Sequence, residues 1–219
     1  NNIIRNKKIK IDNDETVINL THISKVTKSF LKVIKKKNHS KKVEYIKINI
    51  QKKIKLKKLS EKLICFNTNA NKLLLNNLTT QFDKDLYATF LSYYPKEKFV
   101  TKLFPKIDQR GSFVEILKST NTGQISYFTA KPGVIRGGHY HNVKSEKFIL
   151  LKGKALFKFK NLNTNEKYVV VVDDKNIKIV ETIPGWYHEV KNIGTQTLVM
   201  LLWSSEIFDV KKPDTFNYE

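Results

Sequence analysis

The sequence predicts an α+β chain, with a mixed α/β segment over residues 1–98 and an all-β unit over 99–219. Three observations carry this. Apolar residues recur at helical spacing in three stretches before residue 98. From Phe104 onward, short β-branched runs are punctuated by Gly, Pro and Asn, the pattern of a sandwich or barrel. The texture changes around Tyr94 and Pro95, and all eight glycines fall at or after Gly111.

The elements follow in order. Residues 21–37 carry Ile23, Val26, Phe30, Val33 and Ile34 at the spacing of one helical face. Residues 43–50 read as a strand with Ile46, Ile48 and Ile50 on one side. A second helix is expected over 55–66, with Leu56, Leu59 and Leu63 inward, and a third over 82–93, with Leu86, Phe90 and Leu91 inward. Without glycine, this segment holds no G-x-G-x-x-G phosphate loop. Strands are then expected over 124–129, 147–151, 155–159, 168–172, 177–180 and 198–203.

Composition narrows the function classes. At 40% hydrophobic and 11% aromatic residues, the chain is globular rather than disordered. No stretch approaches the ~18 apolar residues that span a bilayer, and no signal peptide opens the chain. One cysteine, Cys65, excludes an internal disulfide and suits a reducing compartment, so a cytoplasmic protein without membrane contact is expected. The chain begins at Asn1 and its single methionine is Met200, which leads us to expect the C-terminal part of a longer enzyme.

The formal charge of +21 suggests nucleic-acid binding, but 38 of the 41 basic residues are lysine. Bidentate phosphate and base contacts favour arginine, and the three present are Arg5, Arg110 and Arg136. The lysine-rich run over 52–58 alternates with apolar residues and reads as a solvated face, so no nucleic-acid partner is expected.

The chemistry lies in the β half. Gly133, Arg136, Gly137, Gly138, His139, His141, Glu146 and Gly153 form the pattern G-x5-H-x-H-x4-E-x6-G. Histidines at i and i+2 on a strand point to the same face, so His139 and His141 can reach one ion. Glu146 opens the next strand and can add a carboxylate. A third histidine follows in Pro184-Gly185-Trp186-Tyr187-His188, four residues before Asn192. Imidazole and carboxylate donors suit zinc, iron, manganese or nickel, with positions left for water or substrate.

These two stretches resemble the paired signature motifs of the cupin superfamily, with one departure: Pro184 directly precedes Gly185. The resemblance implies a double-stranded β-helix, or jelly-roll, barrel over 99–219. It also implies His139, His141, Glu146 and His188 as ligands of a divalent metal, zinc being the first choice. The segment Asp108-Gln109-Arg110-Gly111-Ser112-Phe113-Val114-Glu115 resembles the D-x-R-G-x-F-x-E motif of cupins acting on nucleotide-linked 4-keto sugars. Gly133 to Tyr140 is similar to the G-V-x-R-G-x-H segment of dTDP-4-keto-6-deoxyglucose 3,5-epimerases. By that likeness, Arg110 and Arg136 hold the nucleotide diphosphate or the sugar.

The tail from Leu202 through Trp203, Glu206, Phe208, Asp209, Pro213, Asp214, Thr215 and Phe216 resembles the end of bifunctional capsular-polysaccharide enzymes of the UDP-N-acetyl-L-fucosamine pathway. So do the stretches 86–93, 123–126 and 131–133. In that family a short-chain reductase precedes a cupin. The cupin epimerises C3 of a UDP-4-keto-6-deoxy-N-acetylhexosamine, and the reductase then reduces C4 with NADPH. The resemblance makes 1–98 the substrate-side end of an extended short-chain reductase, and implies a homodimer. The nucleotide-binding glycines and the Tyr-x3-Lys pair of the reductase have no counterpart here, and Ser24-Lys25 replace its usual aspartate. NADPH is therefore expected only in a full-length enzyme.

Epimerisation next to a ketone needs a base, a proton donor and a group to hold the developing oxyanion. In the metal-free dTDP-sugar epimerases the histidine matching His139 is the base, and Trp203 stands near the donor tyrosine's position. With His139 committed to metal, Lys144, Tyr140 and Tyr187 are the further catalytic candidates, as is a metal-bound water. The alternatives are a nucleotide-sugar 3,4-ketoisomerase and a non-catalytic metal- or sugar-binding cupin.

Overall fold

A computed structural model of the chain describes residues 1–36 and 45–218. Two compact units emerge: Asn1–Lys72 with Asn76–Thr101, and Leu73–Leu75 with Lys102–Glu219.

In the first unit, β1 (Val17–Leu20) pairs antiparallel with β2 (Lys52–Lys55), with Ile18 opposite Ile54. The strand expected over 43–50 is displaced. Residues 45–50 form no strand, and 43 and 44 lie outside the described residues. The alternation of Ile46, Ile48 and Ile50 meets the strand period, but a ladder also needs an anchored partner. Gln51 supplies the anchor: its N–H donates to the Leu20 carbonyl, and its side chain accepts from His22 N–H and donates to Asp85. Ile54 is buried beyond it, whereas Ile46 and Ile50 stay exposed.

Helix α1 (Ile23–Ile34) is capped by His22, whose Nδ1 accepts from the Ser24 N–H. The expected end at Lys37 lies outside the described residues. Its anticipated inward face is not buried: Ile23, Phe30 and Ile34 are all more than 60% exposed. Helix α2 (Leu56–Asn71) runs five residues beyond its expected end. Helix α3 (Gln81–Leu91) starts where Thr80 Oγ1 accepts from the Asp83 N–H and donates to the Asp83 carboxylate. Ile4, Phe66 and Phe90 make a small core with Leu63, Leu86, Tyr87 and Tyr94 around it, and Leu91 points outward instead of inward.

The second unit is a two-sheet antiparallel barrel. One sheet has the order β10 (Ile179–Thr182), β7 (Glu146–Lys152), β12 (Leu198–Ser204), β5 (Gly123–Ala130), β4 (Gly111–Ser119), β3 (Lys106–Asp108). The other runs β13 (Phe216–Asn217), β6 (Ile135–Tyr140), β11 (Trp186–Asn192), β8 (Lys154–Asn161), β9 (Lys167–Asp173). Each of the six expected β runs lies within or overlaps one of these strands. Strict alternation fills the interior. Phe128 and Ala130, Phe148 and Leu150, and Leu198 and Met200 face Phe157, Phe159 and Val190 from the opposite sheet. Phe148 and Phe157 meet edge to face with ring centroids 5.6 Å apart. The architecture is cupin-like.

Candidate metal centre

Three strands deliver the cluster. On β7, Glu146 shares the inward face of Phe148 and Leu150, and its N–H donates to Thr182 Oγ1. On β11, His188 shares the inward face of Val190 and Asn192. Asn192 braces the end of that strand, where its amide donates to the Ala130 and Gln196 carbonyls and its oxygen accepts from Gly194 N–H. On β6 and just after it, His139 and His141 both turn inward.

Strand alternation alone would not place Arg136 and His139 on one wall, because they are three residues apart. The glycine pair between them does. Gly137 and Gly138 both hold φ of 83°, and the β6–β11 register shifts there. A Cβ at Gly137 would stand 3.0 Å from the His188 carbonyl oxygen, so a side chain there is crowded as well as strained by φ.

The candidate ligand atoms of His139, His141, Glu146 and His188 all lie within 4.8 Å of one another. Glu146 Oε2 is 3.3 Å from His141 Nε2 and 3.5 Å from His188 Nε2. His141 Nε2 and both ring nitrogens of His188 are buried without a hydrogen-bond partner. Buried nitrogens left this way are costly unless something else takes their lone pairs, and a cation does so. Burial, helped by His188 and His141, pushes His139 down to about 4, so its imidazole is neutral near pH 7. Burial would raise Glu146, but the adjacent His141 and His188 reverse this and hold it well below the usual carboxylate range. Three imidazoles beside one carboxylate form a donor set that fits a divalent metal.

The cluster borders a cavity of about 610 Å³. Arg136 and Arg110 both reach it, in different states. Arg136 is nearly buried; its Nε and Nη2 donate to the Thr129 carbonyl and Nη2 also to that of Ser112. Burial lowers its pKa. Arg110 is exposed and grips Asp108 through Nε and Nη2 at 3.0 and 2.6 Å, which brings Asp108 down to about 2. Lys144 also lines the cavity. It is buried, with Nζ donating to Thr215 Oγ1 at 2.8 Å.

Tyr140 and Tyr187, named among the catalytic candidates, do not line the cavity. The alternation that turns His139, His141 and His188 inward turns their tyrosine neighbours away. Tyr140 stacks on Phe216, and Tyr187 donates to Glu189 at 2.7 Å. Burial and that carboxylate push Tyr187 up to about 12. Trp203 also lies off the cavity, its indole N–H donating to the Thr122 carbonyl. Sequence reasoning gave no role to Asp214. Its carboxylate accepts from the N–H groups of Asn142, Val143 and Lys144, and its carbonyl meets His141 Nδ1 at 2.6 Å. Only the likeness of the Pro-Asp-Thr tail to a family ending pointed there.

The fold and donor set define a cupin-like barrel with a cluster able to hold a metal. The polysaccharide biosynthesis C-terminal domain family matches residues 106–216, and the chain belongs to that family. Over 215 residues it is 40% identical to the UDP-2-acetamido-2,6-beta-L-arabino-hexul-4-ose reductase of Pseudomonas aeruginosa, covering 98% of this chain and 57% of that protein. This chain corresponds to the C-terminal part of that reductase. The capsular polysaccharide assembling protein CapF of Staphylococcus aureus superposes with a TM-score of 0.87 at 30% identity, covering 100% of this chain and 63% of that one. CapF bound to the inhibitor 3-isopropenyl-tropolone matches with the same TM-score and identity over 99% of this chain and 62% of that one. The chain thus spans about three fifths of these relatives' length. Among the described residues, no helix is long and apolar enough to cross a membrane.

Proposed function

We propose that the barrel over 99–219 is a metal-dependent epimerase acting at C3 of a UDP-4-keto-6-deoxy-N-acetylhexosamine in capsule or O-antigen synthesis. Residues 1–98 then represent the substrate-side end of a short-chain reductase, and NADPH-dependent reduction at C4 belongs to a longer enzyme. The observation that carries the reading is that the cluster of His139, His141, Glu146 and His188 presents His139, Glu146 and His188 to a cavity that Arg110, Arg136 and Lys144 also line. A binding protein for a metal alone has no use for two arginines and a buried lysine beside the ligands.

Chemistry assigns the roles. His139, His141, Glu146 and His188 hold a divalent ion, zinc by first preference, which when bound supplies Lewis-acid polarisation of the C4 carbonyl. Arg110 at the exposed side and Arg136 at the buried side hold the diphosphate or the sugar, guanidinium forks matching paired oxygens. A C4 ketone acidifies the C3 proton, and that proton must leave and return on opposite faces. Among the ionisable side chains on the cavity wall outside the ligand cluster, Lys144 is the buried one, and its Nζ is our candidate proton carrier. Aromatic and aliphatic walls from Phe113, Phe128, Phe148 and Leu202 exclude water from the carbanion.

The test is solvent exchange. The metal-loaded chain is incubated with the UDP-4-keto sugar in D2O and the C3 proton is followed by NMR. Loss of that signal, abolished by Lys144→Met and by His139→Ala, is expected. A persistent C3 proton with metal bound overturns the epimerase reading in favour of a binding module, and migration of the keto group to C3 assigns a ketoisomerase.

A further inference from the structure

The segment Asp214–Thr215, at least 70 residues from the ligand loop, meets it through five polar contacts. The Asp214 carbonyl oxygen lies 2.6 Å from His141 Nδ1, a distance that requires a proton between them, and the carbonyl has none to give. Nδ1 therefore carries the hydrogen, and Nε2 is the ring nitrogen turned toward Glu146. The Asp214 carboxylate accepts from three successive N–H groups, Asn142 at 3.0 Å, Val143 at 2.9 Å and Lys144 at 2.7 Å. Thr215 Oγ1 then accepts from Lys144 Nζ, and β13 pairs its Phe216 with Tyr140 and its Asn217 with His139. Asp214 itself sits at φ 22°, a backbone conformation rarely adopted by residues with a side chain. Four contacts from one strained residue converge on the loop that joins two ligands.

We infer that Asp214 is a positioning residue, through which the C-terminal tail sets the tautomer of His141 and fixes the 142–144 loop so that the centre retains its metal. The inference rests on the metal-site reading above. It implies that the centre is complete only when the tail is docked, and that Thr215 independently aims Lys144 into the cavity.

Two measurements test it on the full chain. The first needs no metal: nitrogen-15 NMR of the histidine rings, with His141 assigned through His141→Gln. A hydrogen on Nδ1 of His141 is expected at pH 7.5, and an unprotonated Nδ1 overturns the proposal. The second is Zn2+ affinity by competition with a chromogenic chelator. Asp214→Ala is expected to weaken binding about 10- to 100-fold, the usual cost of losing a partner that orients a ligand. Asp214→Asn should lose less, because an amide oxygen still accepts. Thr215→Val should keep wild-type affinity and slow C3 exchange. Wild-type Zn2+ affinity in Asp214→Ala, with its circular dichroism unchanged, overturns the tail's role and leaves the metal site standing. Failure of the wild-type chain to bind Zn2+ sinks both. Should Asp214→Ala not fold, the asparagine variant and the tautomer decide.

Discussion

The two units bury their apolar residues to very different degrees. In the barrel, twelve buried apolar residues from both sheets form one cluster, whereas the first unit closes around Ile4, Phe66 and Phe90. Helix α1 has a clear apolar stripe, yet its Ile23, Phe30 and Ile34 stay exposed. Amphipathic periodicity states which side of a helix could be buried. It does not supply the surface that buries it. The barrel needs no such supply because each strand's inner face meets the other sheet's.

The largest expected effect tests that contrast. Phe157 is fully buried between the sheets, and Phe157→Ala should cost about 3–5 kcal/mol through lost transfer energy and a residual cavity. Phe30→Ala should stay within about 0.5 kcal/mol. Both tryptophans, Trp186 and Trp203, belong to the barrel, so their fluorescence follows that unit's denaturation, while circular dichroism at 222 nm follows the three helices of the first unit and reads the cost at Phe30. An equal cost at Phe30 would mean that α1 is covered in solution, and the contrast would collapse.

Metal should sharpen the same difference. Zn2+ at a hundredfold excess over its Kd is expected to stabilise the barrel by about 2.7 kcal/mol, an increment that a chelator removes. The tryptophan-reported transition should shift and the helical circular dichroism of the first unit should not. A shift in both signals would show that the units unfold together.

Within the cavity the two arginines differ as the units do. Arg136 is nearly buried and fixed by two carbonyls, while Arg110 is exposed and already paired with Asp108. Lysine cannot reproduce the fork, so Arg136→Lys should weaken UDP binding about tenfold by calorimetry. Arg110→Lys should cost less, and its effect should fade with salt because exposed charges are screened. The reverse order would place the diphosphate at the open side.

What the sequence made legible follows range. His139 and His141 are two residues apart, and Glu146 starts the next strand, so spacing and strand alternation sufficed. The same alternation accounts for Tyr140 and Tyr187 lying off the cavity wall, since a neighbour of an inward histidine faces out. Asp214 was not legible because it lies 73 residues from His141 and acts partly through a carbonyl that every residue owns. The bulge at Gly137–Gly138 was visible as a glycine pair, but its consequence, bringing Arg136 beside His139, needed the register. In the first unit the displaced strand failed for a related reason: Ile46, Ile48 and Ile50 show the right period, and the long-range anchor at Gln51 decides the pairing.

The smallest effect separates local from long-range control inside that weaker unit. Asp83 exchanges two hydrogen bonds with Thr80 at the start of α3 and pairs with Lys62 of α2 at 2.8 Å. Burial opposes its ionisation, but the bonds from Lys62 and Thr80 outweigh it, so its pKa is lowered from 3.8. A carboxylate lowered on folding stabilises the fold above its unfolded pKa, and the contribution is lost as pH falls through the folded value. Asp83→Asn should therefore cost about 1 kcal/mol at pH 7, the scale of a helix cap, and progressively less as the medium is acidified below pH 4. Urea titrations followed by circular dichroism at 222 nm check this. A cost that persists at pH 2.5 would show that the side chain's shape, not its charge, joins α3 to α2.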